Sequence, residues 1–291
     1  MRAENPLIQI SVASVSPTMR IAILLALIAA SLSGAMAVAW MIARQPGRSG
    51  WTDVIWSYAI GAAGVVAALA PIDGAPGFRQ WLVAALVAGW SLRLGTHIAL
   101  RTGNGEDDPR YAELRREWGG HFSARLFGFL QIQAAAAWLL TLSVLVAARN
   151  PAPAPAWSDV AGALLLIAAV AGEGVADAQL RAFRGNPANR RRVCDTGLWS
   201  LSRHPNYFFE WLGWVSYAVI AIGPDGRFGW AWGWLGLSGL AFMYWLLVHV
   251  SGVPPLEAHM LRSRGEAFRD TQRRIRAFWP IPRRRPEERR S

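Results

Sequence analysis

The sequence contains a single cysteine, Cys194, and no lysine, so all 30 of its basic residues are arginine. One cysteine can form no internal disulfide and has no partner for a cysteine-based metal site. The sequence also has no GxGxxG pattern, no P-loop and no histidine or cysteine spacing that suits a metal ion. These absences exclude a disulfide scaffold and leave no standard motif for a metal site.

The apolar residues are grouped into long runs. They make up 53% of the chain, which is little more than the roughly 45–50% of soluble domains, so their arrangement is more informative than their number. The run Ile21–Ala43 carries no charge, and about 20 such residues cross the hydrocarbon core of a bilayer as a helix. The runs do not alternate between polar and apolar residues, which excludes a barrel as the other structure that lipid allows. The sequence therefore predicts an all-α, polytopic membrane helix bundle.

Seven runs are candidate transmembrane helices, separated by segments rich in proline and glycine. The first run is too long for the apolar part of a signal peptide and counts as a span. Several tryptophans lie at the ends of the runs, as in the aromatic belts of membrane proteins. The predicted spans are Ile21–Ala43, Trp51–Ala70, Trp81–Leu100, Leu126–Ala147, Trp157–Leu180, Tyr207–Ile222 and Trp230–Val250.

The arginines alternate between the two sides that seven spans define. Segments 44–50, 101–125, 184–203 and 251–291 hold two, five, five and eleven arginines, whereas the alternate loops hold one each: Arg79, Arg149 and Arg227. Cytoplasmic loops carry the excess of arginine. The distribution predicts an N-terminus outside and a cytoplasmic C-terminus, and it explains the net charge of +11 without a nucleic-acid partner. Membrane lipid is the expected surrounding.

The chain shows no internal repeat and no second domain. We divide it into an N-terminal extension over 1–19, a seven-helix membrane domain over 20–282 and a basic, disordered tail over 283–291. Within the membrane domain, Leu256–Phe278 has apolar residues at helical spacing among arginines. This pattern predicts an amphipathic segment that lies on the membrane or over the cytoplasmic mouth of the bundle.

Ionisable residues within or beside spans are costly and are therefore functional candidates. In EGVADAQLRAFR, spacings of four, four and three place Glu173, Asp177, Arg181 and Arg184 on one helix face. An Asp177–Arg181 pair within the helix is a simpler interpretation of those two residues. Glu173 has no cationic neighbour in this segment.

A second group is SRHPNYFFE. Pro205 suits the first turn of a helix and places Asn206 and Glu210 on one face, with Glu210 entering an apolar span. Arg203 and His204 precede this helix, whose N-terminus attracts anions.

The third group is the pair of Arg93 and His97, one helical turn apart in SLRLGTHIALR. Arg93 has the alternative of extending its guanidinium to the surface along an apolar helix. His97 is a candidate acid or hydrogen-bond donor.

The stretch GLWSLSRHPNYFFEWLGW, preceded by EGVADAQLRAFR, resembles an uncharacterised family of bacterial multi-pass membrane proteins related to the steroid 5α-reductase carboxyl-terminal domain. More distantly it is similar to sterol C14 and C7 reductases and to isoprenylcysteine carboxyl methyltransferases. The pieces SLRLGTHIALR, GEDDPRY, SGVPPLEAHM and RIRAFWPIP extend the resemblance over Trp90–Pro282. Because reductases and methyltransferases share SRHPNY, the motif does not fix the reaction.

The resemblance implies a cytoplasmic NADPH site, as in the steroid reductases. Guanidinium groups suit its phosphates, and asparagine and carboxylate side chains suit its carboxamide or ribose. His97 and Glu173 are the candidate catalytic residues. The positions that match cofactor contacts are Asp177, Arg181, Arg184, Arg203, His204, Asn206, Tyr207 and Glu210.

Two departures from the steroid reductases leave the substrate open. The last third reads PPLEAHMLRSRGEAF instead of a helix rich in histidine and arginine, and the tyrosine that polarises the substrate carbonyl falls near Trp90, which has no hydroxyl. We expect an NADPH-dependent reductase of the cell membrane that acts on a polarised C=C bond of a lipophilic, sterol- or isoprenoid-like molecule. The alternatives are a methyltransferase using S-adenosylmethionine, which needs no arginine cluster, and a non-enzymatic lipid-binding protein.

Overall fold

The computed structural model describes residues 16–45, 47–103, 109–223 and 230–282, without the side chains of residues 109 and 110. Within these ranges all regular structure is helical and there is no strand, which confirms the all-α prediction. The predicted disordered tail over 283–291 and most of the predicted N-terminal extension lie outside the described residues.

The α-helices follow the predicted runs closely. Short 3-10 helices cover Gly119–His121, Pro187–Asn189, Gly197–Ser200 and Ala231–Leu235, and the π-helix Leu246–Val250 continues α8. The α-helices are α1 Pro17–Ala43, α2 Trp51–Leu69, α3 Phe78–Gly103, α4 Pro109–Trp118, α5 Phe122–Ala148, α6 Trp157–Gly185, α7 Pro205–Ile222, α8 Gly236–Trp245, α9 Val253–Arg264 and α10 Glu266–Arg274.

Six helical segments of the described chain are long and apolar enough to cross a membrane. They contain α1, α2, α3, α5, α6 and, as one segment, Ala231–Arg264. The helix α7 is not among them; its 18 residues include Glu210. These six apolar helices are compatible with a multi-pass membrane protein.

Small residues bring neighbouring helices close together, as is common in membrane bundles. A Cβ atom on Gly95 of α3 would lie 2.7 Å from the ring of Tyr58 on α2. A Cβ atom on Gly236 of α8 would lie 2.7 Å from the Cβ of Ala221 on α7. A larger residue at either glycine would therefore push the two helices apart.

The helices α3 and α6 run in the same direction, and a buried ion pair holds their N-terminal ends together. Arg79 Nε donates to Asp159 Oδ1 at 2.6 Å, and its Nη2 donates to Oδ2 at 2.9 Å. Arg79 also donates to the backbone carbonyl of Asn150 at 2.5 Å. The sequence identified Arg79 only as a loop arginine, but its side chain is 4% exposed and that of Asp159 is 0% exposed.

The C-terminal region differs from the single amphipathic stretch predicted over Leu256–Phe278. The helix α9 ends at Arg264, and Gly265 adopts a φ of +55° before α10 begins. Such a positive φ suits glycine because it lacks a Cβ atom. Ile275 follows the end of α10 with extended backbone, so this residue is buried outside a helix.

Candidate functional site

A group of polar side chains lies buried among α3, α6 and α7, and we call it the buried polar cluster. Glu173, Asp177 and Glu210 are only 6%, 8% and 8% exposed. Charged groups are costly within a bilayer and are usually paired there. The cluster consists of Trp90, Arg93, His97, Glu173, Asp177 and Glu210.

Arg93 links two carboxylates on the neighbouring helix. Its Nη1 lies 2.6 Å from Glu173 Oε1, and its Nη2 lies 2.5 Å from Asp177 Oδ2. Arg93 therefore joins α3 to α6 instead of extending along the helix to the surface. The same contacts give Glu173 the cation that its own segment lacks, and they give Asp177 a partner other than the predicted Arg181.

Two indole groups hold the carboxylate of Glu210. Trp90 Nε1 donates to Oε2 at 2.9 Å, and Trp214 Nε1 donates to Oε1 at 3.2 Å. The two indole rings meet edge to face, with their centroids 5.3 Å apart. The sequence offered a signal for Trp214, which lies one turn from Glu210 on α7, but none for the contact with Trp90.

His97 and Arg181 connect the buried polar cluster to the exposed end of α6. His97 Nε2 lies 3.5 Å from Asp177 Oδ2, and Arg181 Nη1 lies 3.3 Å from His97 Nδ1. Arg181 and Arg184 are exposed. The structure thus places four predicted site residues, Asp177, Arg181, His97 and Glu173, in one chain of contacts.

A second group surrounds Glu257, and we call Arg203, His204, Glu257 and Gln272 the Glu257 cluster. Glu257 Oε1 accepts hydrogen bonds from Arg203 Nε at 2.8 Å and from His204 Nε2 at 3.1 Å. Glu257 Oε2 accepts from Gln272 Nε2 at 2.7 Å. Helical spacing within one segment could not have identified Glu257, because its partners lie before α7 and in α10.

The segment Ser202–His204 also forms hydrogen bonds with residues that follow α10. Ser202 Oγ donates to the carbonyls of Ala277 at 3.0 Å and Phe278 at 2.9 Å. The backbone N–H of His204 donates to the carbonyl of Ala277 at 3.1 Å. Arg203 and His204 therefore have structural contacts, and their predicted role as cofactor ligands stays a prediction.

Asn206 and Tyr207 lie in the first turn of α7, and both are half-buried. The Tyr207 ring stacks on His204 with an interplanar angle of 13° and centroids 5.5 Å apart. Glu210, one turn further along α7, is buried. On the helix face that Asn206 and Glu210 were predicted to share, burial thus increases along α7 from Asn206 to Glu210.

Burial changes the pKa values of two groups outside the spans. It lowers the pKa of His204, although the hydrogen bond and charge of Glu257 act in the opposite direction. Burial also raises the pKa of the Cys194 thiol, which fits an ordinary loop cysteine. In the part of the chain that the structure describes, no group of three or more histidine, cysteine or acidic residues could hold a metal ion.

No curated protein and no solved structure matches the chain. A family model described as "Protein of unknown function (DUF1295)" matches residues 39–275. The matched region contains both the buried polar cluster and the Glu257 cluster. The relation of this family to the steroid 5α-reductases stays a prediction. The chain belongs to the uncharacterised DUF1295 family.

Proposed function

We propose that this protein is an NADPH-dependent membrane reductase that acts on a polarised C=C bond of a lipophilic small molecule. The observation that carries the proposal is the chain of contacts from the buried polar cluster to Arg181 at the exposed end of α6. Intramembrane ionisable residues are functional candidates by default. A site of this kind would hold a charged cofactor at its exposed end and a lipophilic substrate within the bundle.

The donor set near the exposed end suits NADPH. Arg181 and Arg184 are exposed on α6, and guanidinium groups bind phosphates through paired hydrogen bonds. Asn206 is half-buried in the first turn of α7, and its amide suits a carboxamide or a ribose hydroxyl. NADPH would supply the hydride. The chain itself would bind the phosphates through Arg181 and Arg184, orient the carboxamide through Asn206 and exclude water from the apolar bundle.

One observation favours a second candidate, a methyltransferase that uses S-adenosylmethionine. The buried polar cluster holds three carboxylates, those of Glu173, Asp177 and Glu210, but Arg93 is its one guanidinium. A sulfonium or an ammonium group would complement such a site. We place the reductase first because exposed arginines such as Arg181 suit the phosphates of NADPH. S-adenosylmethionine carries no phosphate and needs no arginine.

Ligand titrations distinguish the two functions. The protein is purified in detergent and titrated separately with NADPH, NADH and S-adenosylmethionine. Saturable binding of NADPH is the expected result. Binding of S-adenosylmethionine alone would replace the reductase with the methyltransferase. Binding of none of the three would support a non-enzymatic lipid-binding protein.

We expect Arg184→Ala to weaken NADPH binding by about 1–3 kcal/mol, the scale of hydrogen bonds to charged groups. The measurement is the dissociation constant of NADPH for folded protein in detergent. Arg269→Ala is the matched control because it also removes one exposed arginine, here paired with Glu266 at 3.0 Å. If the two variants lose the same NADPH affinity, Arg184 contributes only to the general positive charge of the protein. An unchanged affinity in Arg184→Ala would mean that this residue is not part of the site.

We also propose that the chain crosses the membrane seven times, with α7 as the sixth crossing, an external N-terminus and a cytoplasmic C-terminus. A helix of 18 residues is about 27 Å long. The helix α7 lies antiparallel to α6, because Gly162 of α6 packs on Ile220 while Gly172 packs on Phe209. The alternating arginine counts support the orientation.

Reporter fusions test this topology. Fusions after Arg48, Arg116, Arg192 and Arg285 should all report the cytoplasm. A fusion after Arg227 should report the outside, because α7 would lie between it and Arg192. A cytoplasmic signal after Arg227 would mean that α7 does not cross the membrane, and an external signal from any of the other four would contradict the orientation.

A further inference from the structure

The imidazole of His204 has one satisfied and one unsatisfied nitrogen. The residue is 3% exposed, and its Nε2 lies 3.1 Å from Glu257 Oε1. Its Nδ1 is buried and has no hydrogen-bond partner within the described ranges. A buried polar atom without a partner has lost its hydrogen bond to water and gained none in return. This loss suggests that a group absent from the protein itself completes this site.

The contact with Glu257 determines which nitrogen carries the proton. An ionised carboxylate only accepts hydrogen bonds, so Nε2 of His204 must be the donor. Burial lowers the pKa of His204 and the adjacent Arg203 charge acts in the same direction, and together they outweigh the opposing hydrogen bond and charge of Glu257. The imidazole is therefore neutral, and its Nδ1 presents a lone pair.

Two neighbouring side chains hold Glu257 in the position from which it fixes this tautomer. Arg203 Nη2 lies 2.6 Å from Glu257 Oε1, and Gln272 Nε2 donates to Oε2 at 2.7 Å. On its other side, the imidazole stacks on the ring of Tyr207. A carboxylate that orients one nitrogen of a histidine and leaves the other nitrogen available is the arrangement seen in catalytic triads.

We propose that Glu257 and His204 form a dyad, in which Glu257 positions the imidazole and the Nδ1 of His204 accepts a hydrogen bond from a neutral N–H donor of the bound nucleotide. This inference rests on the proposed nucleotide-binding function. An imidazole lone pair repels phosphate oxygens, and the N–H donors that the nucleotide offers are the amine of the adenine and the amide of the nicotinamide. Only Pro205 separates His204 from the half-buried Asn206 and Tyr207 in the first turn of α7, at the end of the bundle where Arg181 is exposed.

Two substitutions separate a ligand-binding role from a structural one. The amide of glutamine reaches the position of Nε2, whereas the amide of asparagine reaches the position of Nδ1. His204→Gln should keep the contact with Glu257 and the melting temperature, while NADPH affinity falls by roughly three- to tenfold, the equivalent of one neutral hydrogen bond. His204→Asn should lower the melting temperature and keep the affinity of the folded fraction. The opposite order would overturn the proposal.

The wild-type protein provides a test that does not depend on a variant. Nitrogen NMR is recorded on ¹⁵N-histidine-labelled protein in bilayers, and the signals missing from the spectrum of His204→Gln are assigned to His204. They should show a protonated Nε2 and an unprotonated Nδ1. NADPH should shift the Nδ1 resonance. Reduced nicotinamide mononucleotide and adenosine 2′,5′-bisphosphate, added separately, show which end of NADPH donates the hydrogen bond.

Comparing the ligands distinguishes an error in the dyad from an error in the proposed function. If NADPH binds but the Nδ1 resonance does not move, the dyad is wrong and the reductase proposal stands. If S-adenosylmethionine moves the resonance and NADPH does not bind, the reductase proposal is wrong and the dyad stands. A protonated Nδ1 in the ligand-free protein would also overturn the dyad.

Discussion

Arg93→Met should lower the free energy of unfolding by about 3–5 kcal/mol, the usual cost of leaving buried charges without their partner. The guanidinium lies 2.6 Å from Glu173 and 2.5 Å from Asp177. Without it, two carboxylates that are 6% and 8% exposed keep their desolvation cost and lose their counter-charge. The midpoint of chemical or thermal unfolding in detergent measures the effect.

Compensating substitutions show whether unpaired charge is the cause. Adding Glu173→Gln and Asp177→Asn to Arg93→Met should restore part of the lost stability, because no unpaired charge then stays buried. Arg269→Met replaces an exposed arginine whose ion pair with Glu266 lies at the surface, and it should change stability by no more than about 0.5 kcal/mol. A single Arg93→Met variant as stable as the wild type would contradict the assignment of these ion pairs.

Hydrophobic runs predicted the positions of the helices well but not their ends. The predicted span Trp157–Leu180 stops where polar residues begin, whereas α6 continues to Gly185. The backbone hydrogen bonds of a helix do not depend on an apolar side chain, so the helix extends beyond the apolar run. This extension places Arg181 and Arg184 on α6 itself.

The candidate site could be predicted only where its members share a helix. Spacing of four residues identified the pairs of Glu173 with Asp177 and of Arg93 with His97. It could not join Arg93 to Glu173, because that contact depends on how α3 packs against α6. The same limit applies to Glu257, which reaches His204 through the packing of α9 against the start of α7.

Arg79 and Arg93 of α3 differ in how closely their charges are balanced by the acidic side chains around them. Arg79 meets both oxygens of Asp159, and its Nη1 also donates to the carbonyl of Ala152 at 2.7 Å. This pair is balanced in charge and explains the junction of α3 with α6. Arg93 instead faces two carboxylates, with Glu210 close by on α7. Three acidic side chains thus surround one guanidinium, and this imbalance agrees with the functional role that we propose for this end of α3.

Glu210→Gln should slow hydride transfer about a hundredfold, the scale of a small displacement in a catalytic arrangement. The carboxylate accepts from Trp90 at 2.9 Å and from Trp214 at 3.2 Å. A glutamine has one acceptor oxygen, so one indole N–H would face an amide donor and the rings would shift. The measurement is the rate of NADPH oxidation per folded molecule in the presence of a bacterial lipid extract.

Stability and a second variant separate a role in the reaction from a role in packing. Losing one buried hydrogen bond should lower the free energy of unfolding of Glu210→Gln by only about 1–3 kcal/mol. Trp90→Phe removes the 2.9 Å contact from the other side and should slow the reaction in the same direction, since the position of the carboxylate depends on both partners. If Glu210→Gln instead loses most of its folded protein while the surviving fraction oxidises NADPH at the wild-type rate, Glu210 serves the packing of α7 and not the reaction.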